Sequence, residues 1–378
     1  MQTQDQVVPI RTPESSYGDD IISVIAPDGT ARGEHDPKLS PEVILDLHKA
    51  MVRTRTIDVQ LERLQRQGRI GFHIGSLGEE ACILGSAAAM RKDDWIFPCY
   101  REFGALLHRG FPLQTYIDNM FGNADDIVHG RQMPDHYTGR EYNFGSVSSP
   151  IGTQMTQAVG FAWAAKKRGD DVVASVYFGE GATSSNEFHT AMNFAGVMKA
   201  PVLLLCRNNH WAISVPSEKQ TASKTFAAKG VAYGVPAVRV DGNDILATYK
   251  VVQDCMKKAA AGEGPFLIEM LTYRIGGHST SDDPRAYRLQ DEVEHWRKTD
   301  PIIRSRRHLD TLGIWSDDQE EAFKQETETK LKACIAAAEA KPKPALETMF
   351  EGVFKEKPWH LQEQQAELVN GPRAKDQH

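Results

Sequence analysis

The chain predicts an α/β fold in which a mostly parallel sheet carries helices on both faces. Three observations predict it. Short apolar runs with β-branched residues, at 172–178, 202–206, 237–240 and 265–273, read as buried strands. Segments with helical spacing stand between them, such as Phe188, Met192, Ala195 and Met198 between the first two runs. Residues 171–214 form one strand, glycine turn, helix and strand. Such a crossover brings both strand ends to the same edge of a parallel sheet, where ligands sit in open α/β folds.

In order, residues 1–37 are polar, with little periodicity, and read as an arm ordered only by contact with something else. Ser40, Pro41 and Glu42 start a helix over 40–67: a cap, a proline in the first turn and an acid near the positive end. A glycine-rich loop at 69–78 leads into a helix of small residues at 79–90, and residues 95–97 are a short strand. Residues 130–154 form a long polar loop whose aromatic and small residues argue for order. A helix at 154–167 precedes the strand at 172–178, and Ser184 with Glu187 is a capping-box pair for the next helix. After 214 come the strand at 237–240, a turn at 241–243, a helix at 245–261 and the strand at 265–273. Residues 291–309 and 316–340 read as helices, the second capped by Ser316. The main body therefore spans 38–345. An amphipathic tail at 346–378 is left to pack on a partner.

The 378 residues suffice for one large α/β domain or two small ones. A net charge of −7 without a basic block argues against nucleic acid. No apolar run reaches the roughly 18 residues of a membrane span. The five cysteines are scattered and odd in number, as in reduced thiols. The first residues carry neither an apolar signal core nor an Arg-rich presequence, so the expected compartment is the cytoplasm.

Two polar clusters face each other across the strand ends. Gly179-Glu180-Gly181 follows the first strand, and Asn208-Asn209 follows the second, with 26 residues between them. Glu180 and Asn209 offer hard oxygen ligands suited to magnesium. The glycine turn offers backbone N–H groups to a phosphate, and Arg207 adds a charge. A magnesium-bridged diphosphate fits this pattern; the plainer alternative is a crossover whose glycines only make a tight turn. Arg101, just after a strand end, either meets a phosphate or makes a surface salt bridge. Among the histidines, His278 in the second glycine-rich loop is the better catalytic candidate, and His73 is either catalytic or structural.

The pair of clusters, Gly-Glu-Gly and Asn-Asn at this separation, resembles the thiamine diphosphate motif. The strand-end strings go further: YRE from Tyr100, GRQMP from Gly130, SSPIGTQ from Ser148, GEGATS from Gly179, RNNHWAIS from Arg207, VDGND from Val240 and YRIGGHSTSDDPRAYR from Tyr273. Together they resemble the alpha subunits of branched-chain 2-oxo acid dehydrogenases, from about Lys38 to the EKPWHL tail. The pyruvate dehydrogenase alpha subunit is the close rival, with different residues where this chain has SSPIGTQ and STSDD. A non-catalytic nucleotide-binding or scaffold subunit is an alternative of another class.

The resemblance implies a thiamine diphosphate-binding fold. It also implies oxidative decarboxylation of branched-chain 2-oxo acids, with reductive acylation of the lipoyl group of a dihydrolipoamide acyltransferase. It assigns magnesium to Glu180, Asn209 and the Trp211 carbonyl. It assigns cofactor contacts to Tyr100, Arg101, Arg207 and His278, to Gly179, Gly181 and Ala182, and to Ser149 and Ile151 beside the aminopyrimidine. Ser148, Pro150, Thr153 and Gln154 match a monovalent-cation loop, for potassium, in some relatives. There are departures: Cys99 replaces a glutamine, Trp211 a tyrosine and Gly277 a histidine or proline, while Ser279 matches a serine phosphorylated in mammalian relatives. One thiamine domain fills this chain, so the resemblance also implies a beta subunit that supplies an activating glutamate in an α2β2 assembly.

Overall fold

A computed structural model describes residues 20–33 and 35–372. Six parallel strands build the sheet: β1 (Ile21–Ile22), β2 (Trp95–Phe97), β3 (Ala174–Gly179), β4 (Val202–Asn208), β7 (Ala237–Asp241) and β8 (Phe266–Leu271). Their order is β1-β7-β8-β4-β3-β2. A small antiparallel ribbon, β5 (Trp211–Ala212) with β6 (Val215–Pro216), follows β4.

Strand β4 shows why the run at 202–208 is apolar throughout. Leu203 and Leu205 face one core, while Val202, Leu204 and Cys206 face the other, and all five are fully buried. The first core is closed by helices α1 (Pro41–Arg66), α2 (Glu80–Ala89) and α7 (Ile245–Ala260). The second is closed by α5 (Thr153–Arg168) and α6 (Asn186–Met198). Shorter helices α3 (Phe103–His108) and α4 (Leu113–Phe121) extend the first layer. The chain ends in α8 (Gln290–Arg297), α9 (Pro301–Leu312), α10 (Asp317–Glu339) and α11 (Trp359–Asn370).

Four expectations are corrected. The arm is not wholly external: its described part adds β1 to the sheet and buries Val24 and Ile25. Residues 1–19 lie outside the described residues. The helix expected over 291–309 is two, because Pro301 cannot continue α8 and Asp300 caps a new helix, accepting from Ile302 and Ile303 N–H. The cap of α6 is Ser185, not Ser184, and its hydroxyl accepts from Phe188 N–H; Ser184 bonds Gln220 instead. The Ser40 hydroxyl makes no cap bond to α1 and turns to Glu42. The cap at Ser316 is a full capping box with Gln319. No residue of α11 is buried, and Trp359 is 74% exposed.

Asp244 is the hinge-pin of the arm. One oxygen caps α7 through Leu246 and Ala247 N–H, and the other accepts Val24 and Ile25 N–H, both at 2.6 Å. Asp244→Asn keeps a cap but puts a donor where two buried N–H groups need an acceptor. The expected loss is about 1–3 kcal/mol, read by urea unfolding, together with faster proteolysis of the arm.

Candidate active site

Strands β3 and β4 end side by side, with Gly179 opposite Arg207. A cavity of about 420 Å³ opens over these ends. Five loops meet there. Glu180, Gly181 and Ala182 come from the turn after β3, and Arg207, Asn209 and Trp211 from the end of β4. Tyr100 and Arg101 follow β2, Ser149 and Ile151 precede α5, and His278 follows β8. Gly179 is also in the wall, so every residue assigned a cofactor contact, and Trp211, lines one space.

Glu180 is buried, and its Oε2 accepts the Asn209 N–H at 3.3 Å. Its Oε1 has no hydrogen-bond partner. Burial, helped by the nearby Glu79 carboxylate, pushes its pKa up to about 7. A partnerless buried carboxylate oxygen is costly unless something else satisfies it. A divalent cation would do so, with neutral oxygens among its remaining ligands. Asn209 and Trp211 line the same cavity, with the Asn209 amide oxygen accepting the Trp211 N–H at 3.2 Å and the Trp211 carbonyl accepting from Arg274 at 3.1 Å. Gly179 adds a second sign of fit. Its backbone is an ordinary extended one, φ −79°, and an added Cβ would meet nothing within 4 Å. The missing side chain therefore serves the open space. At Gly181 the need is different, because a Cβ would lie 2.5 Å from that of Ala212. The residues present fit a metal-bound diphosphate.

The glycine turn does not lead straight into a helix. It becomes a 3-10 turn over Glu180–Ser184, and the start of α6 beyond it is capped by Ser185. A phosphate in the cavity would therefore meet this turn, not the helix end. Arg207 is also more committed than its sequence position suggests. It is buried between Glu79 and Glu102, the second at 2.8 Å, and these carboxylates hold its pKa well above the usual range against burial.

Arg101 donates to the Gly75 and His278 carbonyls and lies 3.3 Å from His278 Nδ1. Burial, then Arg101 and Arg274, holds His278 down to about 3, so the ring is neutral at working pH. With Nδ1 accepting from Arg101, the ring proton sits on Nε2. The Tyr100 ring meets His278 edge-on at 6.1 Å. Cys99 lines the cavity, but burial pushes its thiol up to about 12, so it is no nucleophile.

The loop Ser148, Pro150, Thr153 and Gln154 lies outside the cavity wall. The Thr153 hydroxyl donates to the Pro150 carbonyl at 3.0 Å, and Gln154 donates to the Tyr177 carbonyl. The Gln154 Oε1 is buried without a partner. His73 also lies outside, held between Asp58 and Asp135 at 2.8 and 2.9 Å.

Two residues of the site were missed by sequence reasoning. His136 is buried in the wall, bonded through Nε2 to the Ser149 hydroxyl and through Nδ1 to the Pro134 carbonyl. The aromatic and small residues of its loop, 130–154, are the only signal in the sequence that points to it. Glu79 lies beneath the cavity and read simply as a helix start.

A parallel sheet with a charged crevice over its strand ends, whose residues fit a diphosphate cofactor, defines a class of cofactor-dependent enzyme. Residues 48–347 match the model described as dehydrogenase E1 component, and the chain belongs to that family, whose members use thiamine diphosphate. It is 44% identical over 335 residues to the 2-oxoisovalerate dehydrogenase subunit alpha, mitochondrial, of Homo sapiens, covering 88% of this chain and 75% of that one. The alpha 2 subunit of Arabidopsis thaliana is 44% identical over 329 residues (87% and 70%), and the alpha subunit of Dictyostelium discoideum 41% over 341 (90% and 77%).

Proposed function

We propose that this chain is the alpha subunit of a branched-chain 2-oxo acid dehydrogenase, an α2β2 enzyme. It carries out oxidative decarboxylation of branched-chain 2-oxo acids and passes the acyl group to the lipoyl group of a dihydrolipoamide acyltransferase. The observation that carries this reading is the Glu180–Asn209 pair over the strand ends, in a chain 44% identical to 2-oxoisovalerate dehydrogenase alpha subunits.

Bound thiamine diphosphate supplies a nucleophilic carbon and an electron sink for loss of carbon dioxide. The chain's own residues hold and orient. Glu180, Asn209 and the Trp211 carbonyl would hold magnesium. Tyr100, Arg101 and Arg207, with the backbone of Gly181 and Ala182, would meet the diphosphate. Ser149 and Ile151 would flank the aminopyrimidine. His278, neutral and protonated on Nε2, would be a proton donor or a hydrogen-bonding stabiliser beside the reacting centre. The partnerless Gln154 oxygen suits potassium in the loop with Ser148, Pro150 and Thr153.

The cavity is open on one side. Met133, Ile151 and Ile213 are 51%, 47% and 55% exposed, in an apolar rim that suits closure by a beta subunit and approach of a lipoyl arm. The free cysteines suit a reducing compartment, and we place the enzyme in the cytoplasm, although the named relatives are mitochondrial. The named relatives, 2-oxoisovalerate dehydrogenase alpha subunits, support the branched-chain reading over the pyruvate dehydrogenase and scaffold readings.

The test is turnover by the co-purified alpha–beta assembly. The expected order is 2-oxoisovalerate and 2-oxoisocaproate over pyruvate by about tenfold or more, a difference that one or two buried methylenes can supply. Preference for pyruvate, or full turnover by the alpha chain alone, would overturn the reading.

A further inference from the structure

We infer that Glu79 is a positioning residue for the metal-binding end of the cavity: it sets which way the Asn209 amide faces. This rests on the reading of the cavity as a magnesium–diphosphate site. Glu79 is fully buried at the start of α2 and touches three cavity groups at once. Its Oε1 accepts the Asn209 Nδ2 at 2.8 Å and lies 3.6 Å from Arg101 Nε, and its Oε2 bonds Arg207 Nη1. A carboxylate has no proton to give, so Asn209 must turn its NH2 toward Glu79 and its oxygen away. That oxygen accepts the Trp211 N–H at 3.2 Å, while the Asn209 backbone N–H is held by Glu180. Without an acceptor beneath it, only the Trp211 N–H still orients the amide, and a flip that presents N–H groups where a cation needs oxygen costs less.

The substitution Glu79→Gln makes the argument sharp. Its NH2 group must face either the Asn209 NH2 or the Arg207 guanidinium. Donor then meets donor unless Asn209 flips or Arg207 loses this partner. Glu102→Gln is the control. Glu102 holds the same arginine from its other side and also accepts the Cys99 N–H, with no bond to Asn209. A merely structural ion pair would respond alike to both changes.

The experiment is calorimetric titration of the metal-free alpha–beta assembly with thiamine diphosphate over a series of magnesium concentrations. In Glu79→Gln the magnesium needed for half-saturation is expected to rise about tenfold or more, as for other residues that orient a metal ligand. In Glu102→Gln it should move less than about threefold. Glu79→Asp keeps a carboxylate acceptor under the amide and should raise the magnesium requirement less than Glu79→Gln does. Should Glu79→Gln fail to fold, Glu79→Asp compared with Glu102→Asp decides, the first expected to shift the requirement more than the second. An unchanged magnesium requirement in Glu79→Gln, equal shifts at positions 79 and 102, or a shift in Glu79→Asp as large as in Glu79→Gln overturns the inference. Failure of the wild type to bind the magnesium complex would instead remove the site reading beneath it.

Discussion

Glu180→Gln is expected to make the metal-free protein more stable at pH 8 while weakening magnesium-dependent thiamine diphosphate binding by about 100-fold or more. Both effects have one source. Burial first, then Glu79, raises the Glu180 pKa from an ordinary 4.5 to about 7. A raised carboxylate means that the native state binds more protons than the unfolded state between those values. Stability therefore falls as pH rises from 4.5 to about 7, and above that the buried charge costs on the order of 3 kcal/mol. Glutamine removes the charge and the penalty together. Magnesium removes the penalty differently, by pairing with the charge, and so competes with the proton. Its affinity should rise by up to tenfold per pH unit below 7 and level off above. Differential scanning calorimetry at pH 5 and pH 8, without metal, reads the stability half. Magnesium titrations from pH 6 to 8 read the other. If the variant melts lower than wild type at pH 8, or if the titrations show no pH dependence, Glu180 is not a carboxylate held ready for a cation.

Much of this site was visible in the sequence because its parts follow strand ends. Once β3 and β4 are recognised as neighbours in a parallel sheet, Glu180 and Asn209 must converge, whatever lies in the residues between them. The same rule places Arg101 after β2 and His278 after β8. What the pattern could not carry was the partner of each charge. Arg207 read as a free cation, yet Glu79 and Glu102 reach it from a helix start and a loop more than 100 positions away. No local periodicity encodes such a pairing. His136 was hidden for a related reason: its role depends on Ser149 lying opposite it, which only the folded loop reveals. The arm was misjudged because two residues of strand, Ile21 and Ile22, are too short to show a period. Capping errors of one residue, as at Ser185, arise because adjacent serines carry the same signal.

Replacing His73 by alanine should cost about 3–5 kcal/mol, because it strands two buried acids. His73 lies 1% exposed, with Asp58 on Nε2 and Asp135 on Nδ1. Burial alone would lower its pKa, but the two carboxylates outweigh burial and bring it up to about 10. The ring is thus a buried cation. Asp58 also accepts the Ser76 N–H at 2.6 Å, and Asp135 accepts the Ile74 N–H and the Tyr116 hydroxyl. The triad fastens the loop whose Phe72 and Ile74 line the cavity, and whose Gly75 carbonyl receives Arg101. The sign of the pH effect follows from the raised value. This stabilisation is complete below the ordinary histidine pKa of 6.5 and is lost as pH climbs toward 10. Urea unfolding of wild type and His73→Gln should show a gap that is wide at pH 7 and shrinks markedly by pH 10. Glutamine retains hydrogen bonding but not the charge, so the shrinking part of the gap isolates the cation. A gap that stays constant over this range would mean that His73 is neutral, and that one of its two acids holds a proton instead.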